Sequence, residues 1–105
     1  MSDSVELPGV TAEVVAGAEP PMIRLAGELD LAGVDAVRRC IDGVLATGVD
    51  RLDIDLSGLE FIDSSGLSVL IATAKAVSLS LHAPTPAVRR VFAVTGLDEV
   101  WDLKA

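Results

Sequence analysis

Basic residues are scarce in this chain: eight Lys and Arg stand against sixteen Asp and Glu, for a formal charge of −8 at pH 7 over 105 residues. That balance argues against nucleic acid and anionic membrane as partners, because both are met with basic patches. Cys40 is the single cysteine, so no internal disulfide can form, and a reducing cytoplasm is the expected location. Cys40 itself reads as a small buried hydrophobe on a helix. One cysteine and one histidine, His82, leave a structural zinc site without ligands, and no cofactor is expected. Aromatics are reduced to Phe61, Phe92 and Trp101, so the core has to be built from Leu, Val, Ile and Ala. The longest apolar runs, such as Val69 to Ala72, are far shorter than the roughly 20 residues that span a bilayer, which argues against membrane insertion. The acidic start, Met1 to Glu6, is unlike a secretory signal.

What is present is an alternation of strand and helix signals fit for one domain, residues 1–105, with 1–8 expected as a disordered N-terminus. Val10 to Val15 and Met22 to Ala26 read as strands around a Gly17–Pro21 turn, hence a hairpin, and Gly27-Glu28-Leu29-Asp30 leaves the second strand. Val34, Val37, Ile41, Val44 and Leu45 make an apolar helical stripe that Gly48 stops. Arg51 to Leu56 alternates polar and apolar as a third strand. A helix opening at Asp63-Ser64-Ser65-Gly66 and a short strand near Leu79 to Leu81 follow. Thr85 and Pro86 start a last helix that Gly96 closes, and Val100 to Leu103 offers a final strand. This order predicts an α/β fold with a mixed four- to five-stranded sheet and right-handed helical crossovers. Arg51, Asp53 and Asp55 give the third strand a face too polar to bury, so the helices are expected mainly on one face, with water on the other.

The segment Gly58 to Leu67 carries the chemistry. Leu67, Leu70, Ile71 and Ala74 fall on one helical face, so Asp63-Ser64-Ser65-Gly66 marks a helix start with unpaired N–H groups and the positive dipole end. Ser and Asp suit such a start as plain caps. A serine hydroxyl there, beside the bare Gly66, also suits a phosphoryl acceptor whose dianion would sit on an anion-favouring terminus. A hydrolase is disfavoured. The Gly-x-Ser-x-Gly elbow fails, since Ile62 and Asp63 occupy the first glycine's place for Ser64 and Ser65, and His82 is the only imidazole. Asp30, Asp55 and Asp63 could approach one another at the helix-entry edge of the sheet, yet no phosphate loop, lysine or metal cluster accompanies them. Asp55 reads as surface charge, while Asp30 and Asp63 end elements next to Ser64.

Gly27-Glu28-Leu29-Asp30, Asp55-Leu56-Ser57-Gly58, Phe61 to Leu67, and Pro86 to Phe92 with Thr95-Gly96-Leu97 together resemble the STAS domain of bacterial anti-sigma factor antagonists, over roughly residues 10 to 101. The resemblance implies a STAS-like sheet and a non-enzymatic protein. Its unphosphorylated form would bind an anti-sigma factor that is a serine kinase and so release the sigma factor. Phosphorylation of Ser64 by that kinase would break the complex, and a PP2C-type phosphatase would restore it. Asp30, Asp63, Ser65, Gly66 and Leu67 would flank the switch or meet the partner. The alternative is a STAS subunit of a lipid-transport permease or stressosome-type assembly, docking without a kinase cycle. The 75–77 connection is shorter than is usual in that family, so the Ser64 helix is expected to end near Ala74. Either a monomer or a dimer swapped at 78 onward then follows.

Overall fold

Apolar residues at alternate positions put Ile23 and Leu25 on one face of a strand, Met22–Leu29 (β2), and Leu52, Ile54 and Leu56 on the same face of another, Arg51–Ile62 (β3); all five are fully buried. In the computed structural model, which describes residues 9–99 and 101–104, these two strands pair in parallel at the centre of a five-stranded sheet. Val10–Val14 (β1) pairs antiparallel with the outer side of β2. Ser78–His82 (β4) and Asp102–Lys104 (β5) extend the sheet in parallel beyond β3, giving the order β1-β2-β3-β4-β5. The expected N-terminal tail, 1–8, lies outside the described residues.

Three helices supply the crossovers: Val34–Leu45 (α1), Ser64–Ala76 (α2) and Pro86–Thr95 (α3). The α1 stripe of Val34, Val37, Ile41 and Val44 is buried, as its spacing predicts. Cys40 is half-buried beside it, and burial pushes its thiol pKa up. Helix α3 has Thr85 as N-cap, Pro86 in its first turn, and Gly96 at φ 77° as the left-handed terminator. It buries Val88 and Phe92, and the Phe92 ring meets Trp101 edge-on, with centroids 5.1 Å apart.

The expected strand ends are too early. β2 does not leave the sheet at Gly27, nor does β3 end at Leu56. Both run on to Leu29 and Ile62 through register shifts between Arg24 and Ala26 and between Gly27 and Glu28. Gly27 makes this possible at φ 96°, which lets the Glu28 N–H reach the Gly9 carbonyl at 2.6 Å. Helix α2 likewise runs past Ala74 to Ala76. The Val77 N–H bonds to the Thr73 carbonyl, and the Ser78 N–H already bonds to Asp50 O at 2.9 Å, so β4 pairs with β3 of its own chain without a loop.

The face opposite the helices is less open than the polar row on β3 suggests. Asp53 and Ser80 are buried there. His82 lies half-buried over them with Nε2 3.1 Å from Asp53 Oδ2. Arg24 reaches Asp55 at 3.3 Å on the same face. Burial pushes the Asp55 pKa up, but hydrogen bonds from the Ser57 backbone and hydroxyl and the Arg24 guanidinium outweigh it, and the carboxyl titrates below its usual range.

Candidate functional site

Because β2 and β3 are parallel and Leu29 stands in register with Ile62, both strands end together, each followed by an aspartate. The Asp63 N–H donates to the Leu29 carbonyl at 3.1 Å, tying the two ends. Asp30 turns into α1: its Oδ1 accepts the Ala32 N–H at 3.1 Å and its carbonyl accepts the Gly33 N–H at 3.1 Å. That turn thrusts Leu31 outward, 74% exposed. Asp63 turns into α2 as its N-cap, in extended conformation, with Oδ1 accepting Ser65 N–H at 2.9 Å and Gly66 N–H at 3.2 Å.

Asp63, then, already occupies the N–H groups that the sequence offered to an anion. A phosphate on Ser64 would not settle on a vacant helix terminus; it would stand beside the Asp63 carboxylate. Ser64 is the first helical residue and is exposed, and its hydroxyl makes no hydrogen bond among the described residues. Ser65 is half-buried. Gly66 and Leu67 are buried where α2 seats on the sheet.

Gly66 is where α2 crosses the ends of both strands. A Cβ there would lie 2.7 Å from Ile62 Cγ1 and 2.7 Å from Leu29 Cγ. Ala is favoured over Gly in a helix by about 1 kcal/mol, but overpacking costs about 1–3 kcal/mol. Gly66→Ala is therefore expected to destabilise the domain by up to about 2 kcal/mol, the overpacking outweighing the helix gain. Thermal melting checks this, and a raised midpoint would show that the two strand ends yield freely.

Two residues at the site escaped the sequence reading. Leu31 is one; Phe61, 47% exposed, is the other. Phe61 stands opposite Glu28 and next to the buried Ile62, so the alternation along β3 was the available signal once the strand is known to reach that far. Conversely, Asp55 does not join Asp30 and Asp63. It sits seven residues before Ile62, roughly 20 Å down the strand, in register with His82. The same register keeps His82 far from Ser64, so no imidazole can act on that hydroxyl. Among the described residues no group of three or more His, Cys, Asp or Glu could hold a metal ion, and no helix is long and apolar enough to cross a membrane.

The family model described as "Mlab, STAS domain" matches residues 12–103. Anti-sigma-F factor antagonist RsfB of Mycobacterium tuberculosis is 34% identical over 78% of this chain and 70% of its own length. The crystal structure of an anti-sigma factor antagonist from Mycobacterium paratuberculosis superposes with a TM-score of 0.81 at 32% identity, covering 95% of this chain and 90% of that one. The anti-sigma factor antagonist SpoIIAA in its unphosphorylated form gives a TM-score of 0.75 at 27% identity, over 90% of this chain and 88% of that one. The phosphorylated form of Bacillus SpoIIAA gives 0.68 at the same identity, covering 90% and 91%.

Proposed function

This chain belongs to the STAS-domain family of anti-sigma factor antagonists, and from that premise we propose that it binds a kinase-type anti-sigma factor through the surface around Ser64 and is released when Ser64 is phosphorylated. The single observation that carries the reading is the exposed Ser64 hydroxyl, unbonded among the described residues, one residue after the capping Asp63. Existence of SpoIIAA in unphosphorylated and phosphorylated forms supports a switch of this kind in the family.

Leu31 and Phe61 supply apolar contact area beside the serine, the sort of anchor that a partner's pocket desolvates. Asp30 and Asp63 make the surroundings acidic. A phosphoryl group adds about −1.5 to −2 charge there, against carboxylates already committed to holding the two turns. In the free domain that charge faces water and the fold survives. In a docked complex it meets Asp63 and Asp30 with water removed, and the complex separates. The chain supplies only the hydroxyl. Base and magnesium belong to the kinase, and a PP2C-type phosphatase resets the switch.

The test is incubation with the cognate anti-sigma kinase and ATP, followed by peptide mapping. Label is expected on Ser64 and absent from Ser64→Ala. Label that persists in that variant, or maps mainly to Ser65 or Ser68, would overturn the assignment. Tight binding with no label at all would point to docking without a kinase cycle.

A further inference from the structure

Among the described residues, β1 is the outermost strand of the sheet and is paired on one side only. In an antiparallel ladder, residues whose N–H and C=O face the neighbour alternate along the strand. The Gly9 carbonyl accepts Glu28 N–H at 2.6 Å and the Val15 N–H donates to Met22 O at 2.9 Å, which assigns the odd-numbered residues to bonds with β2. The N–H and C=O groups of Val10, Ala12 and Val14 therefore point outward, without partners among the described residues. The side chains of this row lie on the helix side. Val10 is buried and Ala12 packs against the core. Val14 is 53% exposed, at the mouth of an apolar groove of about 460 Å³ lined by Pro21, Cys40, Gly43 and Val44. Proteins that stay monomeric guard such edges with lysine, proline or a bulge. Val-Thr-Ala-Glu-Val has only Glu13, which leans toward Arg24 of its own chain at 3.7 Å.

We propose that β1 pairs antiparallel with β1 of a second copy of this chain, centred on Ala12, so that the two sheets become one continuous two-fold symmetric sheet. In this register Val10 faces Val14 of the second copy, Ala12 faces its Ala12, and Thr11 faces its Glu13. Every outward-facing residue meets another, and three such pairs exchange six N–H···O=C bonds. A slip by one residue would set outward groups against groups already bonded to β2. A slip by two toward Val14 would oppose Glu13 to Glu13, a destabilising like-charge pair. The centred register avoids both faults, and an isologous contact needs this kind of self-complementarity. The Val14 side chain, exposed in the single chain, is laid beside Val10 of the second copy. Ser64 lies on α2, beyond β2 and β3 from this edge, so both copies keep it exposed and the inference stands apart from the sigma-factor reading.

Charge adds a signature. Each copy carries −8, so association is opposed at low ionic strength and strengthened by salt, which screens the long-range repulsion. The experiment is sedimentation equilibrium of the full chain across a concentration series at low and high salt, with the variants Ala12→Pro and Val14→Lys. Proline at Ala12 removes only an outward N–H and is tolerated on an edge strand. Losing the two central bonds is expected to weaken the dimer by roughly thirtyfold or more, with circular dichroism unchanged. Should Ala12→Pro fail to fold, Val14→Lys alone carries the test. A strictly monomeric mass at every concentration and salt overturns the proposal. So does a dimer indifferent to both variants, as one swapped at 78 onward would be. Amide-exchange protection of Val10, Ala12 and Val14 that appears only on adding the anti-sigma factor would give the edge to that partner, and overturns it as well.

Discussion

Ser64→Glu is expected to weaken binding to the anti-sigma partner by about a hundredfold, while Ser64→Ala stays within a few-fold of the wild type. A hundredfold corresponds to about 2.7 kcal/mol. Two unit charges about 4 Å apart, at the effective dielectric of a protein surface, repel by about 4 kcal/mol, so a single glutamate beside Asp63 has enough repulsion to reach that figure once the partner excludes water. The alanine variant removes a hydroxyl that bonds nothing among the described residues and leaves the Asp63 cap untouched. A carboxylate carries less charge than a phosphate, so true phosphorylation should exceed the mimic. Calorimetric titration of the three proteins decides it. Equal affinity of wild type and Ser64→Glu would remove charge as the cause of release. Unchanged thermal melting is the companion expectation, because the side chain is exposed in the free domain.

Phe92→Ala is expected to cost about 3–5 kcal/mol of folding stability, the usual range for an aromatic emptied from a core. Domains of this size hold about 5–15 kcal/mol in total, so the variant should sit near the edge of unfolding at physiological temperature. Phe92 is the only aromatic in the core besides Trp101, fully buried, and its ring closes α3 onto the chain leading to β5. A core made mostly of aliphatic side chains has no second ring of that size to fill the hole. Phe92→Leu keeps most of the volume and should lose less, mainly the edge-to-face contact of about 0.5–1.5 kcal/mol. Urea unfolding with both variants measures the difference. A Phe92→Ala loss below about 1 kcal/mol would mean that the helix collapses into the cavity at little cost.

Much of the site was legible because short-range chemistry marks it. The switch from alternation in Arg51–Leu56 to helical spacing in Leu67–Ala74 placed the Asp63–Gly66 turn without any tertiary information. Thr85, Pro86 and Gly96 bounded α3 in the same way, through capping preferences that act within one turn. Where the reading stopped short, the missing fact was a contact between distant segments. Gly27 and Ser57-Gly58 look like strand ends by residue type. They are interior irregularities because β2 and β3 support each other past them, with Gly27 at a positive φ that brings Gly9 close. Residue type alone cannot tell a bulge from a terminus. Asp53 is polar and belongs to the row on β3 that is expected to face water. Its burial depends on β4, from which the half-buried His82 covers it with Nε2 3.1 Å from Oδ2.

By itself, then, the sequence determined the element order, the apolar faces of α1 and α3, the acidic composition of the chain with its single Cys and single His, and the serine that opens α2. All follow from periodicity, composition and local capping, which operate over a few residues. The tertiary structure decided which groups share the site. Parallel pairing set Leu29 beside Ile62, and thereby Asp30 beside Asp63, while the same register sent Asp55 and His82 roughly 20 Å away. It also decided that the Asp63 carboxylate, rather than an incoming anion, takes the Ser65 and Gly66 N–H groups, and that Leu31 and Phe61 stand exposed next to the ends of β2 and β3. These outcomes turn on strand register and on the length over which two strands stay paired, quantities set by packing between segments some thirty residues apart in sequence.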